Sequence, residues 1–294
     1  MKPTGIKTIC TAVIAMLLCG CSGLLFFPSQ QWAQTPDQRG YQYQAVTIPT
    51  ANGQMLSAWL LPQRNPERQQ PRGAVIFFHG NAENISTHIA SVYWLTDEGY
   101  DLLLVDYRGY GKSDGYPALE SSFEDIRHSI DWFKQRYPDP MPKYLIGQSL
   151  GASMSGYVLA TQPEYRQHFS AVALESGFAR YQRVAREALS RSWITWLFQY
   201  PLSWTMPRRY DLIDHIAQIS PTPLLILHGT RDQVVPYQHG LDLMAAADQK
   251  TTEFLSYDGP HIGGLYKPEN RQRLVEFFSQ HLTPPTTPVS ATGK

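Results

Sequence analysis

Short apolar runs alternate along this chain with longer stretches whose apolar residues recur every three or four positions. The runs at 74–78, 143–146, 171–174 and 223–227 are four or five residues long and almost continuously apolar. Strands covered on both faces have this composition, because neither face meets water. Residues 252–257 read as a further strand. Between them lie helical patterns: Phe123, Ile126, Ile130 and Phe133 recur after Ser121, and Leu274, Phe277 and Phe278 recur near the C-terminus. Asn52-Gly53, flanked by 42–47 and 56–61, is a hairpin signal. The alternation predicts an α/β fold with a mostly parallel central sheet and helices on both faces. There is no internal repeat.

The run at 143–146 leads into Gly147-Gln148-Ser149-Leu150-Gly151, and a helix-like segment follows at 152–161. Strand, sharp turn and helix with G-x-S-x-G at the turn is the nucleophile elbow of the α/β-hydrolases. Glycines two before and two after the serine relieve the crowding of so tight a turn. A serine hydroxyl needs a base, and the base an orienting acid, in the chain order Ser, Asp or Glu, His. Asp232 follows the run at 223–227. His261 follows the strand at 252–257, on the loop Asp258-Gly259-Pro260-His261. Glu175, at the end of 171–174, is the rival acid. The chain has 9 histidines; His228 has the best competing claim to be the base, but it shares a strand end with Asp232 and is read as loop structure. An oxyanion needs two backbone N–H donors. Leu150 supplies one; the loop His79-Gly80-Asn81-Ala82-Glu83-Asn84 offers Asn81 as the other.

Four blocks carry a family resemblance. They are residues 79–84, the block Asp106-Tyr107-Arg108-Gly109-Tyr110-Gly111-Lys112-Ser113-Asp114-Gly115, the elbow, and His228-Gly229-Thr230-Arg231-Asp232. Together they resemble the Bem46/ABHD13-like, serine-aminopeptidase-like branch of the α/β-hydrolases, over about 41–282. The resemblance implies an α/β-hydrolase fold with serine-hydrolase chemistry on esters, thioesters or amides, and it settles mechanism better than substrate. Arg108, in the most family-specific block, is read as structural.

At the N-terminus Lys2 and Lys7 precede an apolar run at 9–18, shorter than the roughly 20 residues that span a membrane. A basic start, a short apolar middle and small residues describe a secretory signal. Leu18-Cys19-Gly20-Cys21 resembles a bacterial lipobox, which makes 1–20 a signal peptide and Cys21 the lipidated first residue, with a diacylglyceryl, palmitate-type anchor. Ser22 in place of aspartate implies the outer membrane of a Gram-negative envelope, facing the periplasm. All 3 cysteines lie in this segment, so no disulfide is expected in the domain. Residues 21–40 are expected as a tether and 283–294, with prolines 284, 285 and 288, as a disordered tail.

Formal net charge is zero, which gives no electrostatic reason to invoke nucleic acid. No metal-ligand spacing occurs and no cofactor is expected. Between about 178 and 218 there is no clear strand, but many aromatics and arginines, expected as a small helical cap. Its aromatics are open to three readings: the cap's own packing, an apolar acyl-binding wall, or a membrane-facing lid. The whole reads as a lipid-anchored serine hydrolase cleaving carboxylic ester or thioester bonds of a small acyl substrate. A peptidase or amidase, and a non-catalytic lipid-anchored binding protein, are the alternatives.

Overall fold

The computed structural model describes residues 25–283. The expected leader, Cys21 and most of the expected tail lie outside the described residues. Eight strands form one sheet: β1 Gln44–Pro49, β2 Met55–Leu61, β3 Gly73–Phe78, β4 Tyr100–Val105, β5 Lys143–Gln148, β6 Ala171–Glu175, β7 Leu224–Gly229 and β8 Thr252–Tyr257. Their order is β1-β2-β4-β3-β5-β6-β7-β8. β2 runs antiparallel to both neighbours and every other pairing is parallel. The hairpin at Asn52-Gly53 joins β1 to β2, with Gly53 at φ 80°.

Successive side chains of a strand point to opposite faces, and the core divides accordingly. Ile76, Phe78, Leu103, Val105, Leu145 and Leu174 belong to one apolar cluster. Val75, Phe77, Leu104, Ile146, Ala173 and Leu227 belong to the other. This is why the runs at 74–78, 171–174 and 223–227 are apolar throughout. Helix α1 (Leu119–Arg136) buries Phe123, Ile126, Ile130 and Phe133 in the first cluster, on the face that α2 (Leu150–Thr161) also covers. Later in the chain, α6 (Gln238–Ala246) adds Leu243 to that face, while α7 (Pro268–Gln280) covers the opposite one with Leu274, Phe277 and Phe278. Each large side chain so buried contributes about 1.5–3 kcal/mol. Between β6 and β7 the cap consists of three helices, α3 (Tyr181–Ser190), α4 (Trp193–Trp196) and α5 (Gln199–Ser203), followed by single helical turns.

The expected tether is corrected over its described part. Phe26 is buried with its ring edge toward Tyr110, and the rings of Trp32 and Trp59 meet edge-on at 4.9 Å. Phe27 and Pro28 pair with Ala82 and Glu83. Aromatics that find apolar partners fix the segment to the body. The elbow also differs at its edges. β5 runs two residues past its apolar stretch because Gly147 and Gln148 still pair with Leu174 and Glu175. The helix after it begins at Leu150, directly behind the serine.

Candidate active site

Ser149 sits at φ 54°, ψ −114°, a conformation side chains rarely adopt. Two glycines make the turn possible. A Cβ on Gly147 would lie 2.7 Å from the Ala152 Cα, and one on Gly151 would lie 2.3 Å from the Phe78 carbonyl oxygen. The Ser149 N–H donates to the Glu175 carbonyl at 2.8 Å, tying the elbow to β6. The hydroxyl is thereby lifted off the carboxyl edge of the sheet.

Two loops from neighbouring strands converge on it. His261 Nε2 lies 2.9 Å from Ser149 Oγ, and His261 Nδ1 lies 2.7 Å from Asp232 Oδ2. The other carboxylate oxygen, Asp232 Oδ1, accepts the Val234 and Val235 N–H groups, each at 2.8 Å. Burial alone would raise the Asp232 carboxyl. Hydrogen bonding from His228 and His261, the His261 charge and the Val235 N–H outweigh it and hold the group well below the usual carboxylate range. An ionised acid on Nδ1 leaves Nε2 to face the serine as acceptor. His228 is fully buried, with Nε2 2.9 Å from the Val235 carbonyl and 3.5 Å from Asp232 Oδ2. It serves the Asp232 loop and not the serine.

The 79–84 loop comes close on the other side: a Cβ on Gly80 would touch the Ser149 Cβ at 3.4 Å. His79 is buried and held neutral by desolvation, with the nearby His88 acting in the same direction; its Nδ1–H donates to the Gly80 carbonyl at 2.6 Å. Tyr110 Oη donates to the Asn81 carbonyl at 2.6 Å, with Asn81 Oδ1 at 3.1 Å, and the Phe27 N–H donates to the same Oδ1. The Asn81 side chain and carbonyl are thus occupied. Among the described residues neither the Asn81 nor the Leu150 N–H has a protein acceptor. Leu150 also opens α2, whose N-terminal dipole favours negative charge.

The tyrosine- and glycine-rich block has a visible task. Tyr107 Oη donates to the His79 carbonyl at 3.1 Å, and Tyr110 holds Asn81 as described. Arg108 grips Asp125 of α1 through Nε and Nη2 at 2.6–3.0 Å. Arg108 is therefore structural, and the block supports the loop that carries Asn81.

Sequence reasoning missed a second buried network. Glu175 Oε2 accepts Gln148 Nε2 at 2.6 Å; Oε1 accepts the Gly264 N–H at 2.7 Å and Tyr257 Oη at 3.1 Å. Burial pushes this carboxyl up, against the pull of those three donors. Tyr257 Oη in turn accepts the Gly263 N–H at 3.1 Å. Glu175 was the rival acid by position, but it faces the backbone of the His261 loop and not the imidazole. The available signal was the polar pair Gln148 and Glu175 at adjacent strand ends that apolar composition cannot explain. Among the described residues no cluster of three His, Cys, Asp or Glu side chains is arranged to hold a metal ion.

A family model described as serine aminopeptidase, S33, matches residues 69–216. The chain belongs to that family of α/β-hydrolases. Its relatives include protein YfhR of Salmonella typhi, 30% identical over 84% of this chain and 87% of that protein. Lysophosphatidylserine lipase ABHD12 of Macaca fascicularis is 32% identical over 59% of this chain and 45% of that protein. Among solved structures, the Pyrococcus furiosus esterase Pf2001 superposes with a TM-score of 0.69 at 22% identity, covering 87% of this chain and 99% of that one. At that identity the likeness shows the fold. As a member of this family the protein is a hydrolase, and the loops just described are those on which such hydrolases build their sites.

Proposed function

We propose that this hydrolase cleaves carboxylic ester or thioester bonds through an acyl-enzyme on Ser149. The observation that carries the reading is the continuous hydrogen-bonded line from Ser149 Oγ through His261 to Asp232, at 2.9 and 2.7 Å. In this reading Ser149 Oγ attacks the acyl carbonyl while His261 Nε2 takes its proton. Asp232 fixes the imidazole tautomer and stabilises its cation. The Asn81 and Leu150 N–H groups receive the oxyanion. His261 then protonates the leaving alcohol or thiol. Water, deprotonated by the same imidazole, attacks the acyl-enzyme and frees the acid. The lipase relative, which acts on lysophosphatidylserine by its name, supports an ester over an amide.

Within the family we read the chain as a member of the Bem46/ABHD13-like branch, on the blocks at 79–84 and 106–115. We also read Cys21 as the site of a lipid anchor that holds the protein in a bacterial envelope, probed by metabolic lipid labelling of Cys21→Ser.

The test of the reaction is fluorophosphonate labelling of the full chain, followed by a panel of ester, thioester and aminoacyl-amide substrates. Labelling confined to Ser149, with ester or thioester turnover exceeding amide turnover, is the expected result. Faster amide turnover would make the protein a peptidase. No labelling and no turnover would make it a binding protein.

A further inference from the structure

Within the cap Phe178, Tyr181 and Tyr210 are buried, but the large apolar side chains from Trp193 to Trp204 are not. α3 is well seated: Arg180 pairs with Asp211 and Asp214, Arg183 with Asp242, and Glu187 with His239. Past it the chain turns its apolar side chains outward. Trp193 is 86% exposed, Leu197 72%, Trp204 69% and Ile194 63%, with Trp196, Phe198 and Tyr200 also more than half exposed. Seven large apolar side chains within twelve residues form a patch that a monomer in water has no reason to keep.

The charge around it is as uneven. Between 180 and 210 there are six arginines and one acidic residue, Glu187, in a chain of zero formal net charge. Arg180, Arg183 and Arg209 are tied to carboxylates. Arg191 and Arg208 are exposed and have no carboxylate partner among the described residues, and Arg186 lies over the Tyr200 ring at 5.6 Å. Tryptophan and tyrosine beside unpaired arginine is the composition of a surface that lies in the headgroup layer of an anionic bilayer. Among the described residues no helix is long and apolar enough to cross a membrane. The patch also borders the site. Arg191 Nη2 donates to the Val234 carbonyl at 2.9 Å, and the Val234 N–H is bound by Asp232 Oδ1.

We infer that the segment from Trp193 to Trp204, with Arg191 and Arg208, docks the protein on a bilayer containing anionic phospholipid and sets the Ser149 loops against the lipid surface. The inference goes beyond the reaction proposed above and does not depend on it, because its readout needs no turnover.

The experiment is tryptophan quenching of the full chain by vesicles with brominated acyl chains, either phosphatidylcholine alone or phosphatidylcholine with phosphatidylglycerol. Quenching by membrane-embedded bromine reports tryptophan depth, whatever else holds the protein to the vesicle. Strong quenching on the anionic vesicles is expected, lost in the variant carrying Trp193→Ala, Trp196→Ala and Trp204→Ala. All three side chains are exposed, so this variant keeps its fold, as its circular dichroism would show. A variant carrying Arg191→Glu and Arg208→Glu keeps every tryptophan and should need at least about tenfold more anionic lipid. Equal fractional quenching in the tryptophan variant would overturn the inference. So would quenching as strong on phosphatidylcholine alone and unaffected by the arginine changes. A lipid-free dimer abolished by the tryptophan variant, without quenching, would assign the patch to a second copy of the chain instead.

Discussion

Glu175 Oε1 accepts the Gly264 N–H at 2.7 Å, three residues past His261, while its Oε2 holds Gln148, the residue before the nucleophile. One buried carboxylate therefore spans the elbow and the histidine loop. It touches no reacting atom and is a positioning residue. Glu175→Gln keeps the shape but sets an amide N–H₂ against Gln148 Nε2. The expected result is a fall in kcat of about 10- to 100-fold with little change in KM, since a small misplacement of the imidazole costs on that order. A fall of about 10⁴, the size typical of a lost triad acid, would restore Glu175 as that acid.

Ser149→Ala should abolish fluorophosphonate labelling with the fold intact, because the loss removes only the nucleophile. Ser149→Gly should do the same and be the more stable of the two. Its φ of 54° and ψ of −114° cost a side-chain-bearing residue roughly 1–3 kcal/mol that glycine escapes. Thermal melts of the two variants decide it; an alanine variant as stable as the glycine variant would show that the elbow is unstrained.

Asp232→Asn should cut kcat by about 10⁴, because an amide N–H₂ facing Nδ1 favours the wrong imidazole tautomer. The ionised Asp232 has its folded-state value depressed below the unfolded one. Its contribution to stability is therefore present above the unfolded value and lost as pH falls through the folded one. Acid unfolding of the wild type and the variant should converge in strong acid. A gap that stays constant down through the carboxylate range would contradict the hydrogen-bond arrangement around Asp232.

Asp106 behaves in the opposite sense. It is fully buried beneath the 79–84 loop and accepts the Ile85 N–H at 2.8 Å, yet burial raises its value from 3.8 to about 7. A raised folded-state value means that stability is fully present below the unfolded value and declines as pH rises through about 7. The shift corresponds to roughly 4 kcal/mol at most. Asp106→Asn keeps the acceptor for Ile85 and cannot ionise. Urea unfolding at about pH 5 and about pH 8 should show the wild type losing stability relative to the variant at the higher pH. A pH-independent difference would mean that Asp106 is charged throughout.

The sequence by itself determined seven of the eight strands, the elbow and the order of the candidate residues; the strand Tyr100–Val105 was missed. A continuous apolar run of five such as 74–78, bounded by turn residues, has the length of a strand buried on both faces, and G-x-S-x-G between such a run and a helix pattern fits a sharp turn, which the structure bears out with Gly147 and Gly151 packed against backbone. These are local constraints, and local constraints are written in adjacent residues. The sequence favoured Asp232 and kept Glu175 as a rival, since both follow a parallel strand on the same sheet edge; the path of the loop from Tyr257 to Gly264 sets Asp232 Oδ2 2.7 Å from His261 Nδ1. The packing of Phe26 and Trp32 on Tyr110 and Trp59, and the outward turn of Trp193 and Trp204, were hidden. A large aromatic has the same apolar character whether it finds a partner or not, and finding one depends on segments far away in the chain. Period and spacing fix what an element is; the tertiary structure alone fixes what each side chain meets.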